Sequence, residues 1–240
     1  MLSKNQVKFI RSLKKKKFRQ SHRLFVAEGI KVVEELINSS FQLHKLYCTA
    51  AYKNPFNVTD IQIITEKELA MVSDFSSPNQ VIGIFEIPQE KVFPKTGLTV
   101  ALDEVNDPGN LGTIIRLCDW FGVSQLMCSE NTVDCFNQKV VQASMGSLGR
   151  VAVTYVNLKA YLEQEKRMIY GTFLQGENIY NCQLDPDAVI VLGNEANGIS
   201  DDIKNLVHKK ITIPQFGSDQ RTESLNVAAA TAIILSEFRR

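Results

Sequence analysis

No run of apolar residues in the 240-residue chain approaches the ~20 that a membrane-spanning helix requires, so the sequence reads as a soluble globular protein. The first twenty residues are rich in lysine and hold no apolar stretch of the secretory kind, which points to the cytoplasm. Five cysteines, Cys48, Cys118, Cys128, Cys135 and Cys182, are scattered without a Cys-x-x-Cys, and their odd number argues against a disulfide framework. With only His22, His44 and His208 there is no zinc-ligand spacing, and no metal is expected. No Gly-x-Gly-x-x-Gly follows a predicted strand, which removes the dinucleotide-binding fingerprint. Nor does any acidic residue precede Glu28.

That last absence matters because the net charge is only +1. All 26 acidic residues lie from Glu28 onward, whereas Lys4, Lys8, Arg11, Lys14, Lys15, Lys16, Lys17, Arg19 and Arg23 crowd the amino end. A basic arm on an acidic body points to a polyanionic partner. Phe9, Phe18 and Phe25 interleave with the charges, where they either anchor a helix or stack on bases, and the nine basic residues are the candidate nucleic-acid contacts.

The arm opens a small α/β unit. Ser3 caps a helix to about Leu13, and a strand over Leu24 to Ala27 leads to a helix over Ile30 to Ile37. Strands at Leu43 to Cys48, Ile61 to Thr65 and Gln80 to Ile87 follow, with a short helix from Glu66 to Val72. The stretch PQEKVFPKTG (Pro88 to Gly97) reads as a linker. The expected division is a small α/β domain with a basic arm over 1–90, a linker over 91–97 and a second domain over 98–240.

In the second domain, short β-branched runs alternate with helices, the signature of a parallel sheet buried on both faces. A strand over Leu98 to Leu102 runs into the turn Asn106 to Asn110 and a helix over Leu111 to Phe121. In that helix Arg116 rises one turn beyond Gly112 and Thr113. Further strands are expected at Gln125 to Cys128, Val151 to Val156, Met168 to Phe173, Val189 to Leu192 and Ile211 to Ile213. The segment QASMGSLGR (Gln142 to Arg150) reads equally as a backbone approach site for a ligand or as a plain helix end. Gly193 and Gly198 bracket a polar tip, Asn194 to Asn197, at the end of one strand. Pro214 stops the next, and a polar loop from Gln215 to Glu223 leads to Ser224, read as the cap of a final helix over Leu225 to Phe238. Apolar residues cover more than one face of that helix, Ala232 and Ile233 among them, so a second subunit is expected to bury it.

Three stretches, NDPGNLGTIIR, IVLGNEANGIS and IPQFGSDQRTESLNVAAA, resemble in order and spacing the three motifs of the SpoU-type RNA ribose methyltransferases of the SPOUT superfamily. The resemblance spans Leu98 to Arg240, and the amino-terminal unit looks like a substrate-binding domain similar to ribosomal proteins that bind kinked RNA. It implies an α/β fold with a deep trefoil knot at the carboxyl end, S-adenosylmethionine as cofactor and a homodimer formed through the knotted domain. Leu192, Gly193, Glu195, Ile213, Ser224, Leu225 and Asn226 would surround the cofactor, at turns expected on neighbouring strands. Asn110, Arg116, Glu195, Ser224 and Asn226 would form the reactive site. The implied reaction is methyl transfer to a ribose 2′-hydroxyl, of ribosomal rather than transfer RNA. The alternative is a non-catalytic RNA-binding or ribosome-assembly module on the same fold.

Overall fold

The computed structural model describes residues 1–56, 58, 60–89, 96–217 and 223–240. Most of the expected linker, 91–95, and part of the final polar loop, 218–222, therefore lie outside the described residues. The chain divides into two units, Met1–Glu90 with Asp134–Gly149, and Lys91–Val133 with Arg150–Arg240.

In the first unit α1 (Lys4–Ser12) starts at a capping box, with the Ser3 side chain accepting from Gln6 N and the Gln6 side chain reaching back. It is followed by α2 (Lys16–His22), β1 (Leu24–Glu28), α3 (Ile30–Ile37), β2 (Leu43–Cys48), β3 (Ile61–Ile63), α4 (Glu66–Val72) and β4 (Val81–Glu86). The four strands form one sheet in the order β1-β4-β2-β3, antiparallel except for the β2–β3 pair. Ile10 of α1 and Leu13, just past its end, join Val26, Leu69, Ile82 and Ile84 in its core, all almost fully buried. The basic arm is thus bolted to the sheet by its own apolar stripe.

The second unit begins with β5 (Thr99–Leu102), α5 (Pro108–Trp120) and β6 (Gln125–Ser129). Gln138–Ser144, α6, belongs to the first unit, although the sequence places it in the second domain. The second unit continues with β7 (Ala152–Val156), α7 (Leu158–Glu163), β8 (Met168–Asn178), β9 (Ala188–Leu192), α8 (Asp201–Lys204), β10 (Lys209–Thr212) and α9 (Val227–Phe238). Its six strands pair in parallel in the order β10-β8-β9-β5-β6-β7. Strands β5, β6 and β9 are buried along their whole length, as central strands of a parallel sheet covered on both faces are. The chain builds outward from β5 to β6 and β7 and then returns to β5's other side. The crevice between the carboxyl ends of β5 and β9 is therefore the switch point where open α/β sheets bind ligands.

The structure corrects two expectations and decides a third segment in favour of one of its two readings, the helix end. Helix α5 starts at Pro108 rather than Leu111, because Asp107 takes the Asn110 N–H and proline suits the first helical position; Asn110 therefore sits in the first helical turn. Helix α9 is capped by Asn226 and not by Ser224: the Asn226 Oδ1 accepts from Ala228 N at 3.0 Å and Ala229 N at 3.2 Å. The glycines of Gln142 to Arg150 mark a helix end and a close approach. α6 ends at Met145 in the left-handed region, a Cβ on Gly146 would lie 2.4 Å from the Glu35 Cβ, and one on Gly149 would lie 2.5 Å from the Ser39 Cβ.

Candidate active site

The end of β5 holds the loop that follows β9 at both of its ends. Asn194 Nδ2 donates to the Glu104 carbonyl at 2.7 Å, and the Ser200 N–H donates to Oδ2 of the buried Asp103 at 2.7 Å. Within the loop, Asn194 and Gly198 exchange backbone hydrogen bonds of 2.9 Å, and Asn194 Oδ1 accepts from Ala196 N and Asn197 N. A Cβ on Gly193 would stand 2.2 Å from the Gly198 carbonyl carbon and the Ile199 nitrogen, so only glycine fits. The result is a tight, braced turn that presents Glu195 at its tip.

Glu195 meets the first turn of α5. Asn110 Nδ2 donates to Glu195 Oε1 at 2.9 Å, and Asn110 Oδ1 accepts from Asn226 Nδ2, also at 2.9 Å. Since Asn226 Oδ1 is occupied by the first turn of α9, one hydrogen-bonded chain joins the three motifs: Glu195, Asn110, Asn226 and the start of α9. Three of the five reactive-site candidates are therefore in direct contact. Arg116 lies on the exposed face of α5, six residues beyond Asn110, and among the described residues its guanidinium has no hydrogen-bond or ion-pair partner. Thr113 shares that exposed face, whereas Gly112 turns inward to the buried side. Ser224 is exposed and outside the hydrogen-bonded chain.

Of the remaining cofactor candidates, Leu192 is buried at the end of β9, Ile213 is half-buried just past β10, and Leu225 is half-exposed beside the α9 cap. The expectation that β9 and β10 are neighbours is corrected by the sheet order: β8 stands between them, and the strand beside β9 on the other side is β5. Backbone groups after two parallel strands, a half-exposed leucine and an exposed carboxylate suit a ligand with an apolar ring and several hydrogen-bonding groups, as S-adenosylmethionine has. The sequence missed Asp103, Glu104 and Asn194 as bracing residues. Their only sequence signal is that Asp103 and Glu104 directly follow a buried strand, and the left-handed Glu104 backbone (φ 57°) leaves none.

Of the candidate RNA contacts in the first unit, Lys4, Lys8, Lys15, Lys16 and Lys17 are exposed and make no ion pair among the described residues. Arg19 is not available to a ligand. It is 3% exposed, ion-paired to Asp134, and donates to the carbonyls of Leu13 at 3.0 Å and Lys14 at 2.7 Å. An arginine with that many fixed partners is a structural clamp. Lys14 pairs with Asp74, Arg11 donates to the Met71 carbonyl, and Arg23 donates to those of Ile87 and Pro88, so these three are partly engaged. Phe25 is fully buried in the core.

Comparison with known proteins identifies the family. Residues 97–236 match the SpoU rRNA methylase family, and residues 4–83 match the MRM3-like substrate binding domain. The chain belongs to the SpoU rRNA methylase family. As a SpoU member it is an S-adenosylmethionine-dependent RNA methyltransferase. It is 30% identical over 245 residues to the 23S rRNA (guanosine(2553)-2′-O)-methyltransferase RlmP of Bacillus subtilis, covering 99% of this chain and 97% of that one. A TrmH-family protein from Porphyromonas gingivalis superposes with a TM-score of 0.89 at 38% identity, covering 100% of this chain and 99% of that one. An rRNA methyltransferase from Sinorhizobium meliloti, solved with AdoMet bound, superposes with a TM-score of 0.86 at 30% identity, covering 100% and 96% of the two chains. In this SpoU chain the braced turn after β9 and the Asn226 cap are the meeting point of the three motifs.

Proposed function

We propose that the chain methylates a ribose 2′-hydroxyl of large-subunit ribosomal RNA. The observation that carries this reading is the hydrogen-bonded chain Glu195–Asn110–Asn226 beside an arginine with no described partner. Relatives support the substrate: the B. subtilis protein that matches over 99% of this chain is named for a 23S rRNA ribose, whereas the Aquifex aeolicus tRNA (guanosine(18)-2′-O)-methyltransferase matches over 60%.

S-adenosylmethionine brings a methyl group already activated by its sulfonium, so the chain's residues have to position an oxygen nucleophile and stabilise charge. Asn110, its amide fixed between Glu195 and Asn226, orients the ribose hydroxyl. Arg116, permanently protonated, stabilises the developing alkoxide and holds the adjacent phosphate, with the proton leaving to phosphate or water. Leu192, Gly193, Ile213, Ser224 and Leu225 line the cofactor, chiefly through backbone groups, and Glu195 holds Asn110 in register. Residues 1–90, with 134–149 in the same unit, form the RNA-binding domain, and the rest of 98–240 the methyltransferase domain, whose carboxyl-terminal segment is threaded as a trefoil knot. Two such cytoplasmic chains pair through α9, where Ala229 is exposed and Ala230, Ala232 and Ile233 are half-buried.

Replacing the acceptor nucleotide with its 2′-deoxy analogue tests the chemistry. Methyl transfer from labelled S-adenosylmethionine is expected to vanish while RNA binding changes little. Continued methylation of the deoxy substrate would move the acceptor to a base.

A further inference from the structure

Helix α2 places three consecutive cations where a helix least favours them. Lys15 is its N-cap residue, Lys16 and Lys17 open its first turn, and that turn contains no acidic residue. The positive end of the helix dipole raises the energy of each, and among the described residues none has a compensating partner. Phe18 and His22 follow on the same helix. Lys15, Phe18 and His22 lie at i, i+3 and i+7, one stripe along its surface. The Phe18 and His22 rings are nearly parallel, 13° apart with centroids 6.5 Å from each other, and the edge of Phe9 supports His22 at 5.2 Å. Phe18 is 37% exposed and His22 is exposed, so the aromatic pair is open to solvent on one side.

Helix α2 is held rigidly. Arg19 clamps it to the preceding turn and to Asp134, and Phe9 packs partly into the core of the unit. A rigid aromatic ledge beside uncompensated lysines matches a nucleotide: a flat base for the rings and a phosphate for the ammonium groups. We propose that Phe18, stacked on His22, is a platform for one unpaired nucleobase of the RNA substrate, whose flanking phosphates are held by Lys15, Lys16 and Lys17. This rests on the RNA-methyltransferase reading and adds a base-stacking site to the amino-terminal unit. A duplex, with its bases stacked on each other, offers nothing to such a ledge.

The full-length chain is titrated with a single-stranded RNA carrying 2-aminopurine, over a range of salt concentrations. For wild type, binding is expected to weaken with salt and 2-aminopurine fluorescence to be quenched. Phe18→Leu keeps an apolar side chain against His22 but removes the aromatic face; it is expected to weaken binding about 5- to 100-fold and abolish quenching, with the salt slope unchanged. Phe18→Trp is expected to restore both. Lys16→Ala with Lys17→Ala is expected to flatten the log-log slope by ~0.7 for each phosphate no longer neutralised, while quenching at saturation persists. Phe18→Leu binding and quenching like wild type would overturn the platform and leave the RNA reading standing. Salt-independent binding by wild type would instead overturn the RNA reading itself.

Discussion

The Asn110 side chain donates to Glu195 Oε1 at 2.9 Å, although 85 residues separate the two in sequence. This bond fixes which end of the Asn110 amide faces which neighbour, because a carboxylate can only accept. The carbonyl end is thereby turned to Asn226.

Asn110→Asp therefore places a second carboxylate against Glu195 and removes the donor. Turnover is expected to fall by ~10²-fold or more, with S-adenosylmethionine affinity by calorimetry nearly unchanged. Glu195→Gln, which still offers a carbonyl to Asn110, is expected to retain far more activity than Glu195→Ala. Equal loss in both would mean that the Glu195 charge itself takes part in the chemistry.

Arg116→Ala is expected to lower single-turnover methyl transfer ~10²- to 10³-fold without weakening cofactor binding, since the residue stands on the exposed face of α5 and outside the cofactor turns. Turnover within threefold of wild type would remove Arg116 from the mechanism.

Gly193→Ala forces a methyl group to within 2.2 Å of two backbone atoms across the braced turn. The turn must open, at a cost of about 1–3 kcal/mol, seen as a melting temperature lower by several degrees. Cofactor binding is expected to be lost with it. Gly217→Ala, where a Cβ would meet nothing within 4 Å, is the matched control.

In the second unit the Arg167 guanidinium donates to both Glu165 oxygens and holds its carboxyl down at about 2. A depressed folded-state value contributes stability that is complete above the ordinary glutamate range. It is lost as pH falls from about 4.5 towards 2, and is on the order of 3 kcal/mol. Melting temperature measured across that window should fall less steeply in Glu165→Gln than in wild type.

If α9 pairs two chains, Ile233→Glu puts a charge in the interface and should give a monomer or an unfolded chain by light scattering. A monodisperse wild-type monomer with full activity at micromolar concentration would refute the pairing.

Local chemistry made much of this protein legible in its sequence. The β-branched runs at Thr99–Leu102 and Ala188–Leu192 mark strands buried on both faces, because only a parallel sheet needs such runs. Gly193 and Asn226 mark a turn and a cap, because their shapes and donors suit little else. What the sequence could not supply was adjacency. Parallel strands are joined by long crossovers, so sequence order did not reveal that β8 separates β9 from β10, or that Asp103 and Glu104 brace a loop about ninety residues further on. Charge was legible but its use was not: Arg19 reads like its lysine neighbours, and only folding set it against Asp134, 115 residues away, as a buried clamp. A side chain's type limits the bonds it can make, and tertiary structure decides which partner is close enough to make them.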